Sequence, residues 1–501
     1  MDLDVYGGRK KAMTSLKHQA VSGVKWSAVS QVSRQGTQLL TTIILAHLLT
    51  PSDFGLVGMA MVVIGFIGIF KDLGTSAAII QRKVLSERLL SSIFWVNVGF
   101  GTLAMAVLFL GAPLGGAIYH EPRVIAILRI LSLSFFISGL SILQQALLER
   151  SLAFDTLAKV EIISVLCGAV VGIGLAVVGA GVWSLVFQSL TTVSVTTVLL
   201  WLFSSWRPKR IFYWQEVKSV SSYSLNLVGF SIFNYFARNA DYLLIGRYLG
   251  ALELGYYTLA YRTLLFPLRN ISAVIGRVMF PVYSAIQDDN RRFSYTYLKV
   301  ASSIALITFP MMMGVLALAK PFVILVFGTK WLPVIPLLMI LAPVGMIQSV
   351  GTTVGAIYQA KGRTDWMFRW GVGASTFIVV AFMLGVLWGV TGVAIAYATA
   401  SFILFYPNFV IPFRLIDLEV AKLLKVLSKP FINSFFMFAV IVLFRMVLSS
   451  RLSDIVGLLL SAFLGIATYA GVSWMMMGRG QLKELWGLTG FGRTKHLPAP
   501  K

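Results

Sequence analysis

The sequence predicts an all-α polytopic membrane protein of about 14 transmembrane helices. It arranges them as two six-helix bundles related by a pseudo-twofold axis along the membrane normal, plus two C-terminal helices. Three observations predict this. The mean hydropathy is +0.83, and only 12% of the 501 residues are charged, about half the share of a soluble domain. Apolar runs of about 20 residues or more, enough to cross a bilayer, recur along the whole chain. The connections between them alternate between basic and charge-poor.

In order, the runs fall at about 22–48, 54–80, 89–117, 124–147, 157–178, 182–203, 219–248, 253–281, 298–319, 333–358, 366–388, 391–412, 430–449 and 454–477. Residues 1–21 are a cytoplasmic tail with Arg9, Lys10, Lys11 and Lys17, and lack the apolar core of a cleaved signal peptide. Residues 22–203 make the first six-helix bundle, 204–218 a cytoplasmic linker, and 219–412 the second bundle. Between 413 and 429, Lys422, Lys425 and Lys429 share one helical face, and Leu418, Leu423, Leu424 and Leu427 cover much of the rest. That pattern suits an amphipathic helix on the cytoplasmic surface or, as the alternative, an ordinary basic loop. Residues 430–477 hold helices thirteen and fourteen, and 478–501 form a cytoplasmic tail.

Orientation follows from the loops. Arg82, Lys83 and Arg88 fill one connection, Arg207, Lys209, Arg210 and Lys218 another, and Lys361, Arg363 and Arg369 a third. Turns between them, such as Thr50-Pro51-Ser52-Asp53 and Gly179-Ala180-Gly181, carry no Lys or Arg. Basic residues collect on the cytoplasmic side. Both termini of this multi-pass protein are therefore expected in the cytoplasm. The net charge of +23 has the same origin, so the expected partner is membrane lipid and not nucleic acid.

Several chemistries are excluded on sequence grounds. One cysteine, Cys167, and four histidines offer no disulfide and no metal cluster. No phosphate-binding glycine loop of an ATPase is present. Asp288-Asp289 lies in a short loop beside Arg291 and Arg292, and a glycosyltransferase metal site would need a folded domain around it. No cofactor and no enzymatic activity are expected.

A charge at the centre of a bilayer costs about 3 kcal/mol or more, so intramembrane charges mark a cavity. Residues 219–281 hold most of them: Arg238 and Asp241, then Arg262, Arg269 and Arg277. Elsewhere only Arg34 and Lys71-Asp72 lie comparably deep. Gln31, Arg34, Gln38 and Thr41 step by three, four and three, and so share one helical face. Ser231, Asn234, Arg238 and Asp241 repeat that stepping at an offset of 200. At the same offset Leu49 matches Leu249, Asp53 matches Glu253, Gly55 matches Gly255 and Ala60 matches Ala260. Two repeats thus aim hydrogen-bonding stripes in the same sense. Arg34 lies about 18 Å along its helix, and Arg262 and Arg269 are about 10 Å apart along theirs. Pro267 between them favours a kink. Arg277 and Lys71, nearer the cytoplasmic face, suit interface anchors equally well.

Specific motifs carry a resemblance. They are Leu48-Leu49-Thr50-Pro51-Ser52-Asp53-Phe54-Gly55, Asp72-Leu73-Gly74, Arg238-Asn239-Ala240-Asp241, Ile245-Gly246-Arg247-Tyr248-Leu249-Gly250, Leu254-Gly255-Tyr256-Tyr257 and Met279-Phe280-Pro281-Val282. Over about residues 20–415 the chain resembles the polysaccharide transporter branch of the MOP exporter superfamily, the Wzx-type flippases. The resemblance implies a flippase for an undecaprenyl-pyrophosphate-linked oligosaccharide in exopolysaccharide or lipopolysaccharide synthesis. Its headgroup would pass through a cationic cavity by alternating access, and a polysaccharide polymerase and export proteins would be the implied partners. The substrate-binding residues expected are Arg34, Gln31, Gln38, Asn234, Arg238, Arg262 and Arg269, with Asp241 and Asp72 as coupling carboxylates. Arginine suits a diphosphate, through multidentate charge-assisted hydrogen bonds. Two alternatives stand beside it: a multidrug exporter of the same superfamily, and a membrane-embedded polysaccharide polymerase.

Overall fold

The computed structural model describes residues 26, 29–69, 79, 82, 85–221, 225–448 and 453–488. Among these residues every regular element is a helix. Among the described residues nine helical stretches are long and apolar enough to cross a membrane, or ten if one bent pair, Arg123–Gly139 with Ile142–Arg150, counts as a single span. The chain is a multi-pass membrane protein.

Contacts divide the chain into two compact units, Met1–Gly255 and Tyr256–Lys501. The first holds α1 (29–48), α2 (Pro51–Gly68), α3 (Glu87–Tyr119), α4 (Arg123–Gly139), α5 (Ile142–Arg150), α6 (Phe154–Val177) and α7 (Val182–Phe203). It also holds α8 (Trp214–Ser221), α9 (Leu225–Arg238), α10 (Ala240–Tyr248) and the first turns of α11 (Gly250–Ala285). The boundary lies later than the 204–218 linker expected from the sequence, for a physical reason. The Tyr235 hydroxyl of α9 donates to the Val62 carbonyl of α2 at 2.6 Å. The guanidinium of Arg247 on α10 donates to the carbonyls of Ala117 and Ile118, at 2.9 and 2.7 Å.

Local signals start the helices as the sequence dictates. Thr50 caps α2 through a reciprocal box: its hydroxyl accepts from the Asp53 amide, and the Asp53 carboxylate accepts from the Thr50 amide at 2.9 Å. Pro51 supplies the first helical residue, where its missing N–H costs nothing. Ser86 caps α3 by accepting from the Leu89 amide at 3.1 Å. The interior of this unit is built partly from aromatics. Phe94, Leu89, Leu90 and Ile93 of α3 meet Leu143 and Ala146 of α5, with Trp201 and Trp206 packed alongside.

The second unit holds α12 (Asn290–Val326), α13 (Val334–Gly351), α14 (Val354–Ala360), α15 (Thr364–Gly385), α16 (Gly389–Phe413), α17 (Val420–Leu448) and α18 (Asp454–Leu488). α12 is its post, with α13, α17 and α18 packed along it. Gly389, at φ 73°, makes the turn that separates α15 from α16. The C-terminal pair is tied to this unit, because the Tyr469 hydroxyl of α18 donates to the Leu306 carbonyl of α12 at 2.8 Å. Burial differs widely between spans. The apolar window of the Val334–Ala360 stretch is 56% buried, against 17% for that of α7, so the former is an inner element and the latter lies at the outside of its unit.

Two expectations are corrected here. The segment 413–429 is not a helix of its own: it is a turn with Asp417 at φ 53°, followed by the first turns of the continuous α17. Lys422, Lys425 and Lys429 are exposed there, Val420, Leu423 and Leu427 are buried, and Leu424 is exposed, so most of the apolar face is packed against protein. The segment 219–248 is not one helix either, because Asn239 separates α9 from α10. Asn239 leaves the helical region at φ −119°, ψ 12°, and its side chain donates to the Tyr235 carbonyl at 2.8 Å. An asparagine competing for backbone groups in this way favours a break.

Candidate functional site

α1 is continuous from residue 29 to 48, so Gln31, Arg34, Gln38 and Thr41 do share a face. Arg34 is half-buried. One terminal nitrogen donates to the Gln31 side-chain oxygen at 2.6 Å, while its Nε is buried with no hydrogen-bond partner among the described residues. A buried donor left unmade costs about 1–3 kcal/mol, and more when the group is charged. Such a side chain has donors to offer an anion. Gln38 is exposed, and the Thr41 hydroxyl is turned back onto the Thr37 carbonyl at 2.7 Å. Ser30 donates to the carboxylate of Glu161 on α6, which ties α1 to that helix. Glu161 is not among the residues expected from the sequence, although an acid within an apolar run is a legible signal.

The matching stripe is only partly realised. Asn234 is half-buried and Arg238 exposed, and among the described residues neither has a hydrogen-bond or ion-pair partner. Ser231 lies outside the described side chains. Asp241 follows the break at Asn239, in the first turn of α10, where it is 4% exposed and accepts from the Tyr242 amide at 2.9 Å. In the second unit, Arg262 is exposed on α11. Arg269, Arg277, Lys71 and Asp72 lie outside the described side chains. Among the described residues no group of three or more His, Cys, Asp or Glu side chains is placed to hold a metal ion.

At one end of the first unit a second constellation is tightly bound. α3 finishes at His120, whose φ of 51° is left-handed. Arg247 places its guanidinium over the carbonyls of Ala117 and Ile118 and against the His120 ring. A cation is favoured there by the helix dipole and the unmade carbonyls. Next in the chain, Arg123 makes two hydrogen bonds of 2.9 Å to the Glu121 carboxylate. Those bonds hold the Glu121 carboxyl below its ordinary pKa.

At the same end the starts of α2 and α11 touch backbone to backbone. A β-carbon on Gly55 would overlap the Ala251 carbonyl, and one on Gly255 would overlap the Pro51 carbonyl. Shifting 51 and 55 by 200 gives 251 and 255, so each contact is carried onto the other. The two contacts are therefore reciprocal in residue number. Small residues permit it, since membrane helices without a hydrophobic driving force associate by close van der Waals approach.

Comparison with known proteins adds to this geometry. The family described as "Polysaccharide biosynthesis protein" matches residues 44–336. The lipopolysaccharide biosynthesis protein WzxC of Escherichia coli K12 is 32% identical over 377 residues, covering 74% of this chain and 76% of its own. Among solved structures, the lipid II flippase MurJ in an inward closed conformation matches with a TM-score of 0.72. It covers 90% of this chain and 98% of its own at 15% identity. An inward-facing multidrug resistance MATE family transporter of the MOP superfamily matches at 0.61, covering 77% and 94% at 17% identity. At such identities the two structures establish the fold alone.

Proposed function

The chain belongs to the polysaccharide biosynthesis protein family, the Wzx-type polysaccharide transporters of the MOP superfamily, and on that premise we propose that it is a flippase for a polyprenyl-diphosphate-linked oligosaccharide. It carries the repeat unit across the bacterial inner membrane for envelope polysaccharide synthesis, and does so as a transporter without bond-making chemistry. The observation that carries this reading is Arg34. A half-buried guanidinium with an unused Nε, on a stripe with Gln31 and Gln38, is built to receive an anion.

In this reading the diphosphate is held by Arg34, Arg238, Arg262 and Arg269, and the sugars by Gln31, Gln38 and Asn234. Guanidinium forks match phosphate oxygens better than ammonium groups do, and the prenyl tail stays in lipid. Both termini lie in the cytoplasm, and the two repeats rock about a pseudo-twofold axis. The contact of Gly55 and Gly255 with the carbonyls of Ala251 and Pro51 is the closed state of the outer end, and it parts for release. The membrane potential favours outward movement of an anion by about 2.3 kcal/mol per charge per 100 mV. Asp241 or Asp72 couples the return step to an ion, and a polymerase and export proteins receive the product. WzxC bears the name of a lipopolysaccharide biosynthesis protein and MurJ that of a lipid II flippase, and both names support a lipid-linked glycan.

The test is lipid-linked oligosaccharide accessibility in everted vesicles, read with a membrane-impermeant glycosidase. A strain lacking the protein should accumulate the substrate on the cytoplasmic leaflet. Wild type should reverse this and Arg34→Ala should not. Normal distribution in the deletion strain would overturn the proposal.

A further inference from the structure

The linker that leaves α7 is held in a fixed course over the start of α3. The Trp95 indole donates to the Lys209 carbonyl at 2.9 Å. The Ser91 and Ser92 hydroxyls accept from the amides of Lys209 and Tyr213, at 3.2 and 2.9 Å. Arg207 folds back onto the carbonyls of Ser204, Trp206 and Trp201. Ion pairs link Lys209 to Glu87 at 3.8 Å and Arg82 to Glu216 at 3.9 Å. On α8, Val217 is buried.

So firmly anchored a strap packs Trp206 inward but turns three consecutive aromatic side chains outward. Phe212, Tyr213 and Trp214 follow one another in sequence and are 52%, 42% and 65% exposed. Around them the strap has four basic residues, Arg207, Lys209, Arg210 and Lys218, against one acid, Glu216. Because α7 is a membrane span of 22 residues, the chain that leaves its end emerges at the bilayer surface. Aromatic rings with polar edges prefer that level. An amphipathic segment with basic residues beside an apolar face binds anionic lipid there.

We propose that residues 204–221 form a lipid-binding ledge. Phe212, Tyr213 and Trp214 are seated among the headgroups of one leaflet, and Lys209, Arg210 and Lys218 recruit anionic phospholipid to it. The occupant is the phospholipid surface. Charge complementarity selects anionic headgroups over zwitterionic ones, and the polar bonds to Ser91, Ser92 and Trp95 hold the ledge in place without that lipid.

The full chain carrying Cys167→Ser and Gln215→Cys, labelled with bimane at the new thiol, tests this in phosphatidylcholine vesicles. Brominated phosphatidylglycerol or brominated phosphatidylcholine is added as the quencher. Quenching should favour the anionic lipid, with local enrichment of roughly fivefold for each basic side chain engaged. Added salt should erode the preference, and Arg210→Gln with Lys218→Gln should remove most of it. Equal quenching by both lipids would overturn the recruitment. Absence of quenching by either would place this face in water or against another protein, and overturn the ledge itself. The readout involves no transport, so it stands or falls separately from the flippase assignment.

Discussion

Arg238 and Arg247 lie nine residues apart on the same stretch of chain, and the fold employs them in opposite ways. Arg247 is spent: its guanidinium caps the end of α3 through two carbonyls and touches the His120 ring. Arg238 ends α9 exposed, with no hydrogen-bond or ion-pair partner among the described residues. Arg34 stands between these extremes, with one nitrogen bonded to Gln31 and its Nε unmade. Charge alone therefore does not mark a transport site in a membrane protein. What separates a structural arginine from one available to a passenger is whether its donors are already used.

The sharpest way to break this comparison is to attack a position that is wholly committed. Gly255→Val would drive a side chain into the Pro51 carbonyl. Overpacking of this kind costs about 1–3 kcal/mol, occasionally more, and a backbone atom cannot swing aside. The expected outcome is a large drop in detergent-solubilised melting temperature, with flipping lost. Gly55→Val should behave the same way, since the two contacts are reciprocal. A tolerant Gly55 beside an intolerant Gly255 would show that the contact is not a symmetric one.

Next in size is the uncommitted arginine. Hydrogen bonds to charged groups contribute about 1.5–3 kcal/mol, so Arg34→Ala should slow flipping roughly 10- to 100-fold. The melting temperature should hold or rise, because an unmade buried donor is removed. Arg34→Lys should recover little, since one ammonium cannot reproduce the fork. Equal losses in stability and activity would return Arg34 to the structural class. Arg247→Ala should show the opposite pattern, losing about 1–2 kcal/mol of stability through the uncapped helix end and keeping most of the flipping rate per folded molecule. Thermal melts and vesicle accessibility on the same preparations separate the two.

Much of this was legible in the sequence. Apolar runs bounded by turns marked nine or ten spans among the described residues, because period and length are local properties. The box at Thr50 and Asp53 could be read from spacing, and the glycines at 55 and 255 from the repeat. The role of Arg247 could not, since the carbonyls that it caps lie 129 and 130 residues away in sequence. Nor could the break at Asn239, where neither glycine nor proline intervenes and one side chain captures a backbone carbonyl. That break is also why Asp241, aligned with Arg238 on an ideal helix, sits instead in a new helical turn.

The smallest effect tests the same distinction at the surface. Glu121 and Arg123 are mutually committed through two hydrogen bonds of 2.9 Å, yet Arg123 is 61% exposed. An exposed pair contributes only about 0.2–1 kcal/mol, because water and salt screen it. Glu121→Gln should therefore shift the melt barely beyond error, and less still at high salt. Its pH dependence has a definite sign. The folded carboxyl titrates below its ordinary range because Arg123 donates to it. The unfolded chain thus binds its proton first as pH falls, and the pair's contribution is whole above the unfolded pKa. It declines as pH drops through the folded value. Wild type and Glu121→Gln should accordingly converge in stability under acid and part slightly at neutral pH. A gap that widened on acidification would mean that Glu121 is held by something other than Arg123.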